Sequence, residues 1–236
     1  MKMRYLKKAL FFVIACSLFL ISCKKNNEKP NQIDIVSSSY TATGEPLSGV
    51  SNPSPETWEG DLLVINDLGD PYFSITNWAN IHYPVYLKCE EGKIYIDGTT
   101  VLFEYEELYW CLGVGYYKDG ALFAQPASTK YEVTYNKKTK TLDFTGLVSG
   151  NKAVVGLVGR NKITGNAESF LGDTFYYGAI LTLIQNNAKS VISKSANELQ
   201  NNEKTLKSTK VIENYSPEFQ KIEMKNVKYF YNFFNP

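Results

Sequence analysis

Apolar side chains recur at every second position through most of this chain, over residues 40 to 184. Val85, Leu87 and Cys89 form one such run, and Ile94 with Ile96 forms the next. Because successive side chains of a strand point to opposite faces, each run predicts a half-buried strand. About ten such runs, without helical spacing between them, predict an all-β domain over residues 39–185, an antiparallel meander that forms a barrel or a sandwich.

The links between these runs carry turn residues. Glu91-Gly92 and Asp119-Gly120 each separate two alternating segments, and residues 136–140 form a basic, polar link. Glycine after an acidic residue favours the tight turns of hairpins. Such short links indicate that consecutive strands are antiparallel neighbours.

The pattern changes in residues 186–236, which we treat as a separate C-terminal segment. Val191, Leu199 and Leu206 share one helical face and predict a weak helix over about 187–207. Residues 227–233 alternate again and are rich in Tyr and Phe. So many exposed aromatic side chains would be prone to aggregate, so we expect this stretch to return to the β domain as a strand.

The N-terminus has the pattern of a secretory signal peptide. Lys2, Arg4, Lys7 and Lys8 precede the apolar residues 9–21. A stretch of that length is short for a stable membrane span. We therefore assign residues 1–22 to a cleaved signal peptide.

The end of this segment, Leu20-Ile21-Ser22-Cys23, resembles the lipobox of bacterial lipoproteins. The resemblance implies that Cys23 receives a diacylglyceryl thioether and becomes the first residue of the mature chain. Two or three acyl chains suffice for stable membrane anchoring. Residues 23–38 are mostly polar and would act as a tether. We expect a lipid-anchored protein of the cell envelope at the outer membrane, on either its periplasmic or its surface side.

The charge balance argues against a nucleic-acid partner. The full chain has 25 Lys plus Arg against 24 Asp plus Glu, and loss of the signal peptide removes four cations and no acid. The mature protein is thus mildly acidic and has no general attraction for polyanions.

The residue inventory restricts metal and nucleophilic chemistry. His82 is the sole histidine, so multi-histidine metal centres are excluded. Residues 66–70 contain oxygen ligands but match no complete calcium loop and predict a turn. We expect neither a metal nor a cofactor.

Four carboxylates support an alternative function. Asp97, Glu104, Glu106 and Glu107 lie on or near neighbouring predicted strands, with Glu104 and Glu106 on one strand face. A pair of carboxylates can hydrolyse glycosidic bonds, which makes a glycan hydrolase the alternative. Solvated charges on the outer face of a strand give the same pattern.

Two cysteines remain after processing, Cys89 and Cys111. A secreted protein meets an oxidising compartment, where they can form a disulfide. Cys89 shares a strand face with Val85 and Leu87, which fits a small buried side chain equally well. The sequence leaves both open because it does not supply the Cα separation.

Aromatic residues provide the candidate ligand contacts. Trp78 is flanked by asparagines after a predicted strand, and Tyr117 precedes a turn, so we expect both rings at strand ends. In the pairs Tyr116-Tyr117 and Tyr176-Tyr177 the two neighbours point to opposite faces and cannot share one core. Sugar recognition combines aromatic faces with polar groups, so Trp78 and Tyr117 are the candidate glycan contacts. The alternative is that both rings pack over the ends of the β domain, as aromatic side chains commonly do.

The meander arrangement resembles the lipocalin-type and calycin-like barrels, although the Gly-x-Trp motif of lipocalins is replaced by Glu56-Thr57-Trp58. The resemblance implies ligand binding rather than catalysis. We expect a non-enzymatic binding or scaffolding module for a hydrophobic small molecule, a glycan or a protein partner.

Overall fold

The computed structural model describes residues 33–47, 54–65, 72–81, 83–184 and 210–228. The strands in these ranges are, in chain order, β1 Ser38–Pro46, β2 Glu56–Ile65, β3 Tyr72–Ile75, β4 Val85–Glu90, β5 Lys93–Ile96, β6 Val101–Tyr105, β7 Leu108–Lys118, β8 Ala121–Ala124, β9 Tyr131–Asn136, β10 Thr141–Asp143, β11 Leu147–Val148, β12 Asn151–Asn161, β13 Ala167–Leu171, β14 Tyr176–Ile184, β15 Gln220–Glu223 and β16 Val227–Lys228. Short 3-10 helices span Trp78–Asn80, Gly172–Thr174 and Met224–Asn226.

Several predicted features lie outside the described residues. They are the signal peptide over 1–22, Cys23 and the tether up to residue 32, the loop 66–70, His82, the helix over about 187–207 and the aromatic residues 229–233.

Eight strands close an antiparallel barrel. Their order is β1-β2-β3-β4-β5-β9-β10-β14, and β14 returns to pair with β1. The closing register runs from Ser39 opposite Ile184 to Thr43 opposite Ile180. The predicted all-β, antiparallel fold is confirmed, and the architecture is a barrel. Closure leaves no unpaired edge among these eight strands.

Two insertions between barrel strands form a second layer. Strands β6 to β8 are inserted between β5 and β9, and strands β11 to β13 between β10 and β14. The long strands β7 and β12 pair from Leu108 opposite Asn161 to Tyr116 opposite Ala153. β12 also pairs with the barrel strand β14, where Val155 lies opposite Tyr176.

The alternation within β7 divides its side chains between two sides of this layer. Trp110 and Leu112 are buried in the same cluster as the inward-facing barrel residues. Cys111, between them in sequence, belongs to another cluster with Val101 and Ile212. β12 divides in the same way, and its opposite face contributes to a second cluster, which consists of Leu47, Leu122, Ala124, Val154, Val158, Ala167, Phe170, Phe175 and Ile222.

The described C-terminal residues pack on the second layer. The Val101 amide donates to the Lys210 carbonyl at 2.9 Å, and the Ile212 amide donates to the Thr99 carbonyl at 2.9 Å. β15 then pairs antiparallel with β8, and β16 pairs parallel with β13. These strands cover edges that would otherwise be open to association with other chains.

A β-bulge interrupts the pairing of β1 with β14. Gly44 lies opposite Ala179, but Pro46 lies opposite Tyr176, so β14 has one extra residue between them. Gly178 adopts the positive φ of 89° that this irregularity requires. As a result Tyr176 joins the barrel core, whereas Tyr177 points the other way. Tyr177 therefore does not share the inward face of Ala179, Leu181 and Leu183, although period-two alternation alone would place it there.

Candidate functional site

The second members of the two Tyr-Tyr pairs meet in one cleft. Tyr116 and Tyr176 pack against the barrel cluster, while Tyr117 and Tyr177 pack against the second cluster. Tyr117 and Tyr177 are both half-buried. Together they line an open cleft of about 390 Å³, named here the tyrosine cleft; its lining residues are Glu45, Tyr117, Asn151, Lys152 and Tyr177.

Turns and the bulge place the polar side chains of the tyrosine cleft. Ser149 and Gly150, with φ of 49° and 77°, form the turn that starts β12 at Asn151 and Lys152. Glu45 lies at the irregularity in β1, between Gly44 and Pro46. The cleft therefore lies where the end of β1 and the start of β14 meet β7 and β12.

The charges of the tyrosine cleft are organised around Lys152. Its Nζ lies 3.4 Å from Glu45 Oε2 and 5.5 Å from the centroid of the Tyr177 ring. The side chains of Lys152 and Glu45 are 66% and 55% exposed, so both remain accessible to a ligand. The cleft thus combines aromatic surface with a cation, a carboxylate and an amide, groups of the kind that ligand sites use to hold and orient small polar molecules.

Trp78 is not a surface residue. Its side chain is 0% exposed and packs 5.7 Å from the Trp58 ring and 5.1 Å from the Phe144 ring. Its indole Nε1 donates to the Thr174 carbonyl at 3.4 Å. The left-handed Asn77, with φ of 56°, begins the short helix that turns this ring inward. The prediction of a glycan contact at Trp78 is therefore wrong, because a ligand cannot reach the ring.

The rings around Trp78 occupy one end of the barrel, where β1 ends and β2 and β14 begin. Trp58 lies 4.8 Å from Tyr176 as well as contacting Trp78. The Tyr176 hydroxyl donates to Glu56 Oε2 at 2.8 Å, and burial raises the pKa of this phenol. The ring of Tyr176 thus belongs to the aromatic cluster at this end of the barrel.

The two cysteines are buried thiols in separate places. Cys89 belongs to the barrel cluster, as its strand face predicts, and Cys111 belongs to the cluster that contains Val101 and Ile212. The disulfide left open by the sequence is not formed in this structure. Burial raises the pKa of Cys111 to about 12, so its reactive thiolate is not populated near neutral pH.

Asp97 and Glu104 are engaged in structural contacts. Asp97 is buried, accepts a hydrogen bond from the Thr99 hydroxyl at 2.6 Å and lies 3.3 Å from Lys88 Nζ. Glu104 pairs with Lys162 at 3.2 Å and with Lys210 at 3.4 Å. The hydrogen bond from Lys162 holds the pKa of Glu104 below its ordinary value, which is opposite to what a general acid needs.

Glu106 and Glu107 lie elsewhere. β6 ends at Tyr105, and Glu106 forms the turn after it with φ of 53°, so the prediction that Glu104 and Glu106 share a strand face is wrong. The second open cleft, of about 540 Å³, is lined by Glu106, Glu107, Leu108, Ala167, Glu168, Ser169, Lys221, Lys225, Asn226 and Lys228. Neither Asp97 nor Glu104 lines it, so the four predicted carboxylates do not converge.

No protein-family model, curated protein or solved structure matches the chain. Among residues 33–47, 54–65, 72–81, 83–184 and 210–228, no group of three or more His, Cys, Asp or Glu side chains is placed to hold a metal ion. Within that same part of the chain, no helix is both long enough and apolar enough to cross a bilayer.

The sequence pattern points to Tyr117 but not to the other residues of the tyrosine cleft. The Tyr176-Tyr177 pair carried a usable signal, because one of two neighbouring strand residues must leave the core. Glu45 and Lys152 give no such signal in the sequence, because they are ordinary surface charges 107 positions apart. Only closure of the barrel and attachment of the second layer bring them together.

Proposed function

We propose that this protein is a lipid-anchored, non-enzymatic binding module of the cell envelope, with the tyrosine cleft as its ligand site. The observation that carries the proposal is the convergence of Tyr117 and Tyr177 beside Lys152 and Glu45. A glycan is the ligand class that fits best. A sugar ring has an apolar face that stacks on an aromatic ring, and hydroxyl groups that bond to charged and amide side chains.

The other ligand classes fit the described geometry less well. A hydrophobic small molecule favours an enclosed apolar cavity. At the barrel end that holds Trp58, Trp78 and Phe144, these rings pack against one another and occupy the apolar interior themselves. A protein partner favours a broad apolar patch, whereas the cleft is small and lined largely by polar residues. The cleft has the size and composition of a site for one or two sugar rings.

The anchoring part of the proposal rests on the lipobox-like sequence that ends at Cys23. We expect the wild-type protein to incorporate labelled fatty acid and to fractionate with the outer membrane. Cys23→Ala should remove the label and release the protein from the membrane fraction, because the thioether has no acceptor. An unlabelled wild-type protein would show that Cys23 is not acylated.

The binding part is tested by calorimetric titration with a panel of oligosaccharides. We expect Tyr117→Ala to lower the affinity by on the order of 10-fold to 100-fold, the equivalent of one stacked ring. Because Tyr117 is half-buried, thermal melts must accompany the titrations.

The chain offers a matched control for this experiment. Lys130 pairs with Glu90 and lies 5.4 Å from the Tyr95 ring centroid, so it repeats the arrangement of Lys152 at a different place on the surface. Tyr95→Ala should leave glycan affinity unchanged. Equal losses in Tyr117→Ala and Tyr95→Ala would contradict a specific role for the cleft.

A further inference from the structure

We infer that the tyrosine cleft selects uncharged sugar rings over acidic ones, with Tyr117 as the stacking face and Glu45 as the group that disfavours anionic sugars. This inference rests on the proposed function and adds the chemical class of the ligand. It follows from how the two aromatic rings and the two charges are arranged.

The two tyrosines have different surroundings. The Lys152 ammonium lies 5.5 Å from the centroid of the Tyr177 ring, within the range of a cation–π contact. Tyr177 therefore positions Lys152, and a sugar stacking there would have to displace the ammonium. Among the described residues no Lys or Arg lies over the Tyr117 ring. Because this ring also lines the cleft, it is the better stacking surface.

The two charges of the cleft balance each other. Lys152 Nζ and Glu45 Oε2 are 3.4 Å apart, and both side chains are more than half exposed. Neutral hydroxyl groups can donate to Glu45 and accept from Lys152 without breaking this pair. The neutral ligand therefore gains hydrogen bonds while the charge balance of the cleft is kept.

An acidic sugar meets a different situation. Its carboxylate can accept a hydrogen bond from the exposed Lys152 ammonium, but Glu45 lies 3.4 Å from that ammonium and already offsets its charge. The ligand carboxylate is thus brought close to a like charge, which at about 4 Å in an exposed site lowers affinity on the order of 5-fold, and the attraction of the paired ammonium only partly offsets this loss. Such repulsive elements are a common source of binding specificity.

The experiment compares matched ligands on the full-length wild-type protein by calorimetry at low ionic strength. The probes are neutral hexasaccharides of glucose, galactose and mannose, and hexasaccharides of the corresponding uronic acids. We expect the best neutral ligand to bind on the order of 3-fold more tightly than its uronate counterpart. High salt should reduce this ratio because it screens exposed charges.

Two substitutions should change the ratio in opposite directions. Glu45→Gln removes the repelling charge and leaves Lys152 unbalanced, so uronate affinity should rise and the ratio should fall to about 1 or below. Lys152→Gln leaves Glu45 unbalanced, so the ratio should increase. Glu90→Gln alters the equivalent ion pair beside Tyr95 and should leave the ratio unchanged.

The outcomes separate this inference from the proposed function. Equal or tighter binding of uronates by the wild type overturns the inference but leaves a glycan-binding module. A ratio unaffected by Glu45→Gln in a protein with wild-type melting behaviour also overturns it. No wild-type binding to any hexasaccharide overturns the proposed function together with the inference.

Discussion

At the scale of single residues, the tryptophans and tyrosines divide into core and cleft by a simple rule. Tyr116 and Tyr176 face the barrel cluster, and their neighbours Tyr117 and Tyr177 face the second cluster. An aromatic ring at a strand end is thus assigned by the strand face on which it lies. Trp78 does not follow this rule, because the turn at Asn77 directs its ring into the core.

Trp78→Ala should therefore be strongly destabilising. The ring is fully buried between Trp58 and Phe144, so its removal leaves a large cavity. It also removes the hydrogen bond that Nε1 donates to the Thr174 carbonyl. We expect a loss of about 3–5 kcal/mol in the free energy of unfolding. Urea denaturation followed by tryptophan fluorescence and circular dichroism measures it. A loss below that of Tyr117→Ala would contradict the core assignment.

At the scale of elements, the bulge in β14 determines which tyrosine reaches the cleft. Without the extra residue, the alternation that buries Ala179, Leu181 and Leu183 would bury Tyr177 and expose Tyr176. A Cβ at Gly178 would lie 2.7 Å from the Thr145 Cα, so glycine is required both by its positive φ and by this close approach.

Gly178→Ala should disturb both stability and the cleft. The positive φ alone costs an alanine about 1–2 kcal/mol, and the contact with Thr145 adds strain to the bulge. We expect a larger fall in unfolding free energy than for Gly120→Ala, where φ is 76° and nothing lies within 4 Å of the added Cβ. Glycan affinity should also fall in Gly178→Ala as Tyr177 moves. Identical behaviour of the two variants would mean that the bulge tolerates a side chain.

At the scale of the whole molecule, the second layer is held to the described C-terminal residues by a small charge network. Glu104 of β6 pairs with Lys162 after β12 and with Lys210, whose ammonium also lies 4.4 Å from the Tyr109 ring centroid. Together with the backbone hydrogen bonds of Thr99 and Val101, these contacts connect β6, the residues after β12 and the described C-terminal residues.

This network predicts a pH dependence with a defined sign. The pKa of Glu104 is lowered in the folded protein, chiefly by the hydrogen bond from Lys162. The contacts of ionised Glu104 therefore stabilise the folded state at pH values above the unfolded pKa of about 4.3. This stabilisation is lost as the pH falls through the lower pKa of Glu104 in the folded state. Wild type should exceed Glu104→Gln in stability at pH 6, with the difference shrinking below about pH 4. Melting temperatures measured from pH 3 to pH 7 at low salt test this. A difference that is constant with pH would exclude a charge effect.

Period-two alternation and turn chemistry were sufficient to predict an antiparallel β protein. The inward face of β4, with Val85, Leu87 and Cys89, and the separation of Trp110 from Cys111 follow from local geometry alone, because neighbouring strand residues must point to opposite faces. By the same geometry, each Tyr-Tyr pair must send one ring out of the core. Which ring leaves the core is decided at Tyr177 by the bulge, and the bulge arises from the pairing of β14 with β1.

The sequence by itself thus determined the fold class and the candidate at Tyr117, since both depend on residues close together in the chain. Barrel closure, the second layer and the tyrosine cleft were decided only by the tertiary structure. Glu45, Tyr117, Lys152 and Tyr177 lie on β1, β7, β12 and β14, and no local pattern links them. The physical reason is that non-local strand pairing depends on the sum of many buried contacts across the sheet, whereas alternation reports only which face of one strand is buried.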